Sequence, residues 1–206
     1  MNKNVSTSSW KNVFKRGFEQ KYIELVIYCY KQVLQMKPKI NSLENTRRNM
    51  LLKQMRKNKS TFGITFNIAS EVGVYDEDYR DNGRMDICCY LSQLEDEYIA
   101  FECKRFLKKD VIPYYIRNKY YGEGIKRFED NIYSGSVDLG GMIAFLEEGD
   151  YQKLWRTLFG ELPQYTCDDK VEDISGSYKY QYVLRTSHKR KKNRDIILVH
   201  ILMDFT

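Results

Sequence analysis

Two acids and a lysine in the stretch GRMDICCYLSQLEDEYIAFECKRF, residues 83–106, have the types and spacing for joint chemistry. Two strand-like runs, about 84–91 and 98–106, flank an acidic turn. Each carries charge where a core strand is apolar: Asp86 in the first, Glu102 and Lys104 in the second. Side chains alternate along a strand. Ile99, Phe101 and Cys103 therefore point one way, and Ala100, Glu102 and Lys104 the other. In the first run Met85, Ile87, Cys89 and Leu91 share one face, and Asp86, Cys88 and Tyr90 the opposite one. The SQLEDE segment is short enough to close a hairpin. Either of two registers, with Asp86 across from Glu102 or from Lys104, keeps all three on one face. Residues directly opposite lie about 4.5–5.5 Å apart and diagonal ones about 7–8 Å.

Two neighbouring buried acids are costly unless something neutralises them. One lysine gives partial relief. A hard cation such as Mg²⁺ fits better, because it takes a few carboxylate or carbonyl oxygens and keeps several waters. Such an ion acidifies water and stabilises charge on a phosphate, and Lys104 could steady the attacking water or the phosphorus. Alternation alone leaves a second reading open, a solvated Asp–Lys or Glu–Lys pair on an exposed face.

The elements that must position these groups are legible around them. The chain has 206 residues, 42% of them hydrophobic, which suffices for one packed domain. Residues 1–12 are polar and read as a disordered tail. Phe14, Phe18, Tyr22, Leu25, Cys29, Val33 and Met36 recur at helical spacing, and Pro38 ends that helix. A second helix fits 41–58, with Asn41 or Ser42 as cap. Residues 62–75 read as a strand and 76–83 as a turn cluster holding Asp76, Glu77 and Asp78. A helix over 114–133, a buried strand over 139–148, a helix over 150–162 and a final strand, basic loop and strand complete the order. The fold class is α/β, with a mixed sheet flanked by helices.

The motif Gly83-Arg84-x-Asp86, a hairpin, then Glu102-Cys103-Lys104-Arg105 resembles the PD-(D/E)xK nuclease superfamily, the restriction-endonuclease-like and RecB-like nucleases. Met85 stands where the proline of that name would be. The superfamily core is α-β-β-β-α-β, and residues 41–146 supply that order. The resemblance implies that Asp86 and Glu102 bind Mg²⁺ (Mn²⁺ substituting), with the backbone carbonyl of Cys103 as a third ligand and Lys104 as the catalytic lysine. It implies a nuclease acting on DNA, in a restriction or phage-defence setting. The helix at 14–36 and an extension over 147–206 would be additions to the core.

Other residues compete for auxiliary roles. Glu44 shares a helical stripe with Leu51 and Met55, and with Asn41 it also reads as a capping box. Glu71 either completes the acidic cluster or is a polar edge position. Tyr121, Lys126 and Arg127 could contact phosphates or stack on bases, or simply cover the sheet. Lys189, Arg190, Lys191 and Lys192, in TSHKRKKNRD, form a phosphate clamp, a localisation signal or a solvated loop. The net charge of +6 mildly favours a polyanionic partner. His200, inside ILVHILMDF, reads as a hydrogen-bonded core residue. Five cysteines without a CxxC read as thiols in a reducing cytosol. No apolar run reaches the roughly 18–20 residues of a membrane span, so a cytoplasmic location is expected. Three functions remain in view: a nuclease, a catalytically silent nucleic-acid-binding or assembly subunit, and an effector active only with a partner. A homodimer or a defence complex would suit the last.

Overall fold

The computed structural model describes residues 7–36, 44–75, 81–93, 97–180, 182–192 and 194–206. Pro38, Asn41, Ser42, Asp76, Glu77, Asp78 and the hairpin turn at 94–96 lie outside the described residues, as do residues 1–6. Helix α1 (Thr7–Gln35) begins seven residues before the expected Phe14, so 7–12, read above as tail, are helical. Its inner stripe, Tyr22, Leu25, Val26, Cys29 and Val33, follows the helical period. Helix α2 (Glu44–Asn58) and a 3₁₀ turn (Lys59–Phe62) follow.

The central sheet has seven strands in the order β1 (Ile68–Ala69), β4 (Ile87–Tyr90), β5 (Tyr98–Phe106), β6 (Leu139–Leu146), β9 (Ile196–Asp204), β8 (Val183–His188), β7 (Glu172–Asp173). The pairs β5–β6 and β6–β9 are parallel and the others antiparallel. A two-stranded ribbon, β2 (Val72–Tyr75) with β3 (Asp81–Met85), stands apart from it. Helices cover both faces. On one face α1 and α2 bury Ile87, Cys89, Ile99, Phe101, Cys103, Ile143 and Phe145. On the other, Cys88, Ala100, Met142, Ala144, Leu198 and Leu202 pack under a helical segment over 113–129 and α5 (Tyr151–Glu161). Strand alternation thus sorts β5 between two cores, and Glu102 and Lys104 belong to the second face.

The covering segment starts as α3 (Pro113–Tyr115), widens to π-helical turns over Ile116–Ile125 and closes as α4 (Lys126–Glu129). Gly124 lets it descend. A Cβ there would stand 2.6 Å from Met142 Cε and 3.5 Å from Lys104 Cε. A chain of hydrogen bonds straps the segment to the sheet. Tyr120 Oη meets His200 Nδ1 at 3.0 Å, His200 Nε2 meets Thr186 Oγ1 at 2.7 Å, and Thr186 Oγ1 meets His188 Nε2 at 2.8 Å. His188 Nδ1 faces acceptors only, the Tyr165 carbonyl and Glu129 Oε1, so it carries the hydrogen. With a neutral His188 ring the direction follows: Tyr120 donates to His200, His200 to Thr186, and Thr186 to His188. His200 is fully buried, and burial holds its pKa well below the usual value. It is the core histidine that its setting suggested.

The strands expected at 62–75 and 84–91 are each broken in two, and the breaks face each other. Ile68 pairs with Cys89 and Val72 with Met85, the same register on either side of an interruption at Ser70–Glu71 and Asp86. Glu71 takes a left-handed φ of +53° at the break. The strand at 98–106 runs unbroken as β5. Its pairing with β4, Ile87 to Phe101 and Cys88 to Ala100, is the register that aligns Asp86 with Glu102.

Candidate active site

The break between the ribbon and the central sheet is occupied by a side chain from α2. Arg48 donates from Nη1 to Asp86 Oδ1 and from Nη2 to Glu71 Oε1, each at 2.7 Å. Its fork replaces the ladder bonds lost there, and only 5% of its side chain is exposed. Burial opposes the guanidinium's charge, but the two carboxylates outweigh it and raise its pKa. Asp86 Oδ2 accepts from the Cys103 backbone N–H at 2.8 Å. The acid is thereby locked against β5, with one oxygen on α2 and one on the strand that carries Glu102.

Glu102 is 3% exposed. Lys104, two residues on and on the same face, donates to Glu102 Oε1 at 2.8 Å. Glu102 Oε2 is buried and has no hydrogen-bond partner among the described residues. Burial pushes the Glu102 carboxyl up to about 7, and Asp86 adds to the rise while Lys104 and Arg127 oppose it. Burial lowers the Lys104 ammonium's pKa, but Glu102, Glu44 and Asp86 raise it by more. Lys104 is therefore a permanent donor at neutral pH. Glu44, at the first turn of α2, accepts from the Arg105 backbone N–H at 2.7 Å. Burial raises its pKa too, against the pull of Lys104.

The structure brings Asp86, Glu102, Lys104 and Glu44 into one cluster, whereas Glu71 joins only through Arg48 and stays half exposed. Arg48 is the member that the hairpin pattern did not reveal. It lies one helical turn beyond Glu44, on the stripe of Leu51 and Met55, and that spacing was the available signal.

The candidate nucleic-acid residues divide. Lys126 is exposed, and Arg127 turns into the site, 3.8 Å from Glu102 Oε1. Tyr121 is engaged internally: it stacks on Tyr165 at 3.9 Å and donates to Glu129. Lys189 pairs with Asp195, Lys191 with Asp130, and Lys192 is exposed. Arg190 differs from its neighbours in the run. It is 7% exposed, donates to the Ser134 carbonyl, and anchors the loop from within.

The raised Glu102 pKa has a consequence for stability. In the unfolded chain this carboxyl ionises near its ordinary value, while the folded protein keeps it protonated up to about 7. Its stabilising contribution is complete below the ordinary value and lost as pH rises through about 7. In EDTA, the urea midpoint of the protein is expected to fall across that window relative to Glu102→Gln, which lacks this titration. Parallel pH profiles for the two proteins would show that the buried carboxyl does not titrate in this way.

No protein-family model matches the chain, and neither curated proteins nor solved structures give a significant match. What defines its class is its own geometry: an α/β protein with a mixed, mostly antiparallel seven-stranded sheet flanked by helices. No helix among the described residues is long and apolar enough to cross a membrane.

Proposed function

We propose that this chain is a Mg²⁺-dependent nuclease that hydrolyses phosphodiester bonds in DNA, on a restriction-endonuclease-like core. The observation that carries this reading is the orphaned Glu102 Oε2, buried beside Asp86 and against a protonated lysine. A buried polar atom without a partner is costly in a finished structure and suits a site that takes a ligand. The element order also supports the reading: α2, the broken ribbon, β5, the 113–129 segment and β6 run in the α-β-β-β-α-β sequence.

The residues fit a small hard cation. Among the described residues no three His, Cys, Asp or Glu side chains converge on one point. Mg²⁺ needs fewer, since one or two carboxylates plus waters suffice. Asp86 and Glu102 would hold it, with the backbone carbonyl of Cys103, the residue after Glu102, as a third ligand. A carboxylate offers about four acceptor positions, so Asp86 keeps capacity beyond its bonds to Arg48 and Cys103. Bound there, the ion supplies Lewis acidity for water and countercharge for phosphate.

The chain's own residues do the rest. Glu102 must give up its proton to act as a ligand, so loading near neutral pH releases protons. Lys104 cannot be the base, because it stays protonated. It orients water or a phosphate oxygen by donation, with one of its three N–H groups committed to Glu102. Arg48 holds Asp86 at fixed distance from β5.

The test is cleavage of supercoiled plasmid by the purified chain in Mg²⁺ or Mn²⁺, beside an EDTA control. Metal-dependent cutting supports the reading. A folded protein that never cuts and releases no protons on Mn²⁺ addition overturns it. That result would favour a nucleic-acid-binding or assembly subunit without catalysis. One feature already leans that way: Arg48 neutralises Asp86 without any metal.

A further inference from the structure

Arg127 enters the site at ion-pair distance from Glu102 but without a hydrogen bond to it. Its Nη1 lies 3.8 Å from Glu102 Oε1, beyond hydrogen-bond reach, and 35% of its side chain is exposed. It is instead held from behind. Nη1 donates to the Tyr133 hydroxyl, and the guanidinium lies 5.4 Å from the Tyr133 ring. Tyr133 is fully buried, and its hydroxyl donates in turn to the Arg84 carbonyl at 2.6 Å. Arg84 lies two residues before Asp86. One tyrosine therefore ties the arginine's position to the strand that delivers the aspartate.

Gly83 lies alongside. Its φ of +114° favours glycine, and a Cβ there would sit in ordinary van der Waals contact with Arg127 Nη1, at 3.5 Å. The Gly-Arg-Met-Asp run thus passes beside this guanidinium as well as placing Asp86. Nε and Nη2 make no hydrogen bond to the described residues, so their donors remain for something else. A guanidinium presents donors in a rigid fork that matches a phosphate, and its charge does not titrate.

We propose that Arg127 is a catalytic residue that binds a non-bridging oxygen of the phosphodiester undergoing cleavage and stabilises the charge it gains in the transition state. This rests on the nuclease reading above. Lys104 and Arg127 would then flank Glu102 as two cations with separate tasks. Lys104 is the buried one, committed to the carboxylate. Arg127 is the accessible one, hydrogen-bonded only to its anchor.

The experiment uses the full chain and three variants, Arg127→Ala, Arg127→Lys and Lys104→Ala. Two readouts are needed: steady-state plasmid cleavage in Mg²⁺, and anisotropy of a fluorescent DNA oligonucleotide in Ca²⁺ across a salt series. Arg127→Ala is expected to lower kcat by about 10²-fold with a smaller change in KM. Its binding slope against log salt should fall by about one phosphate contact. Arg127→Lys should recover little, because the fork is lost, and added guanidinium ion should restore part of the Arg127→Ala rate. A purely structural arginine would show neither the kcat-selective loss nor the rescue. If the wild type cuts and Arg127→Ala cuts equally well, this proposal falls and the nuclease reading stands. If the wild type binds DNA without cutting and the slope still drops, the phosphate contact stands and the nuclease reading falls. If the wild type neither cuts nor binds, both fall.

Discussion

On the nuclease reading proposed above, Lys104→Met is expected to lower DNA cleavage by about 10²–10³-fold, the range found when one preorganised donor is removed from an active site. The loss has two sources. The first is direct: the ammonium is the donor aimed into the cluster. The second runs through Glu102, whose carboxyl is already raised to about 7 by burial. Lys104 opposes that rise, so removing it drives the carboxyl higher still and makes the ligand form scarcer at neutral pH. Residual activity of Lys104→Met should therefore have its acid limb shifted to higher pH than in the wild type. Lys104→Arg should not restore the rate. The compact ammonium meets Oε1 at 2.8 Å, and a planar guanidinium on a longer stem presents its donors in a fixed fork that does not reproduce that point contact. Initial rates across pH for the three proteins decide this. A Lys104→Met enzyme with wild-type rate and an unshifted acid limb would remove Lys104 from the mechanism.

The pair Glu102–Lys104 was legible because β-strands alternate rigidly, and β5 is long and unbroken. The alignment of Asp86 with Glu102 was one of two registers that the hairpin pattern allowed, and β4 adopts it. The break at Asp86 was not legible from the hairpin alone. It depends on Arg48, 38 residues earlier in the chain, whose fork substitutes for ladder bonds in both strands at once. Local propensity cannot show a contact of that range, and the residue at the break, Glu71, is not a type that advertises a left-handed φ. Glu44 was read as either cap or cluster member. It joins the cluster by accepting from Arg105, while its proposed capping partner Asn41 lies outside the described residues. The basic run at 189–192 leaves a phosphate clamp, a localisation signal and a solvated loop open, and composition does not single out Arg190, which turns inward between exposed lysines. Composition reports charge density, and only the backbone path decides which cation faces solvent.

Arg47→Met should be the most destabilising single change near the site. Arg47 lies beside Arg48 on α2 but points the other way, donating from Nε and Nη2 to both oxygens of Glu147 at 2.6 and 2.8 Å. Neither side chain of this pair has any exposed surface. The guanidinium also sits 4.3 Å from the centre of the Phe205 ring. Glu147 follows directly on β6, so the fork pins the helix bearing Glu44 and Arg48 to the end of a central strand. Removing one partner strands a buried charge, which typically costs about 3–5 kcal/mol. Replacing both, Arg47→Met with Glu147→Leu, removes the stranded charge and should return most of that stability. Urea unfolding of the two single variants and the double variant measures the coupling directly. The sharper outcome is functional. If the fork serves only to hold α2 in place, the double variant will be stable yet cut more slowly, because the arm that fixes Asp86 through Arg48 will have lost its register on the sheet. A double variant as unstable as the single would show instead that α2 docks through this ion pair and not through the apolar contacts of Leu51, Leu52 and Met55.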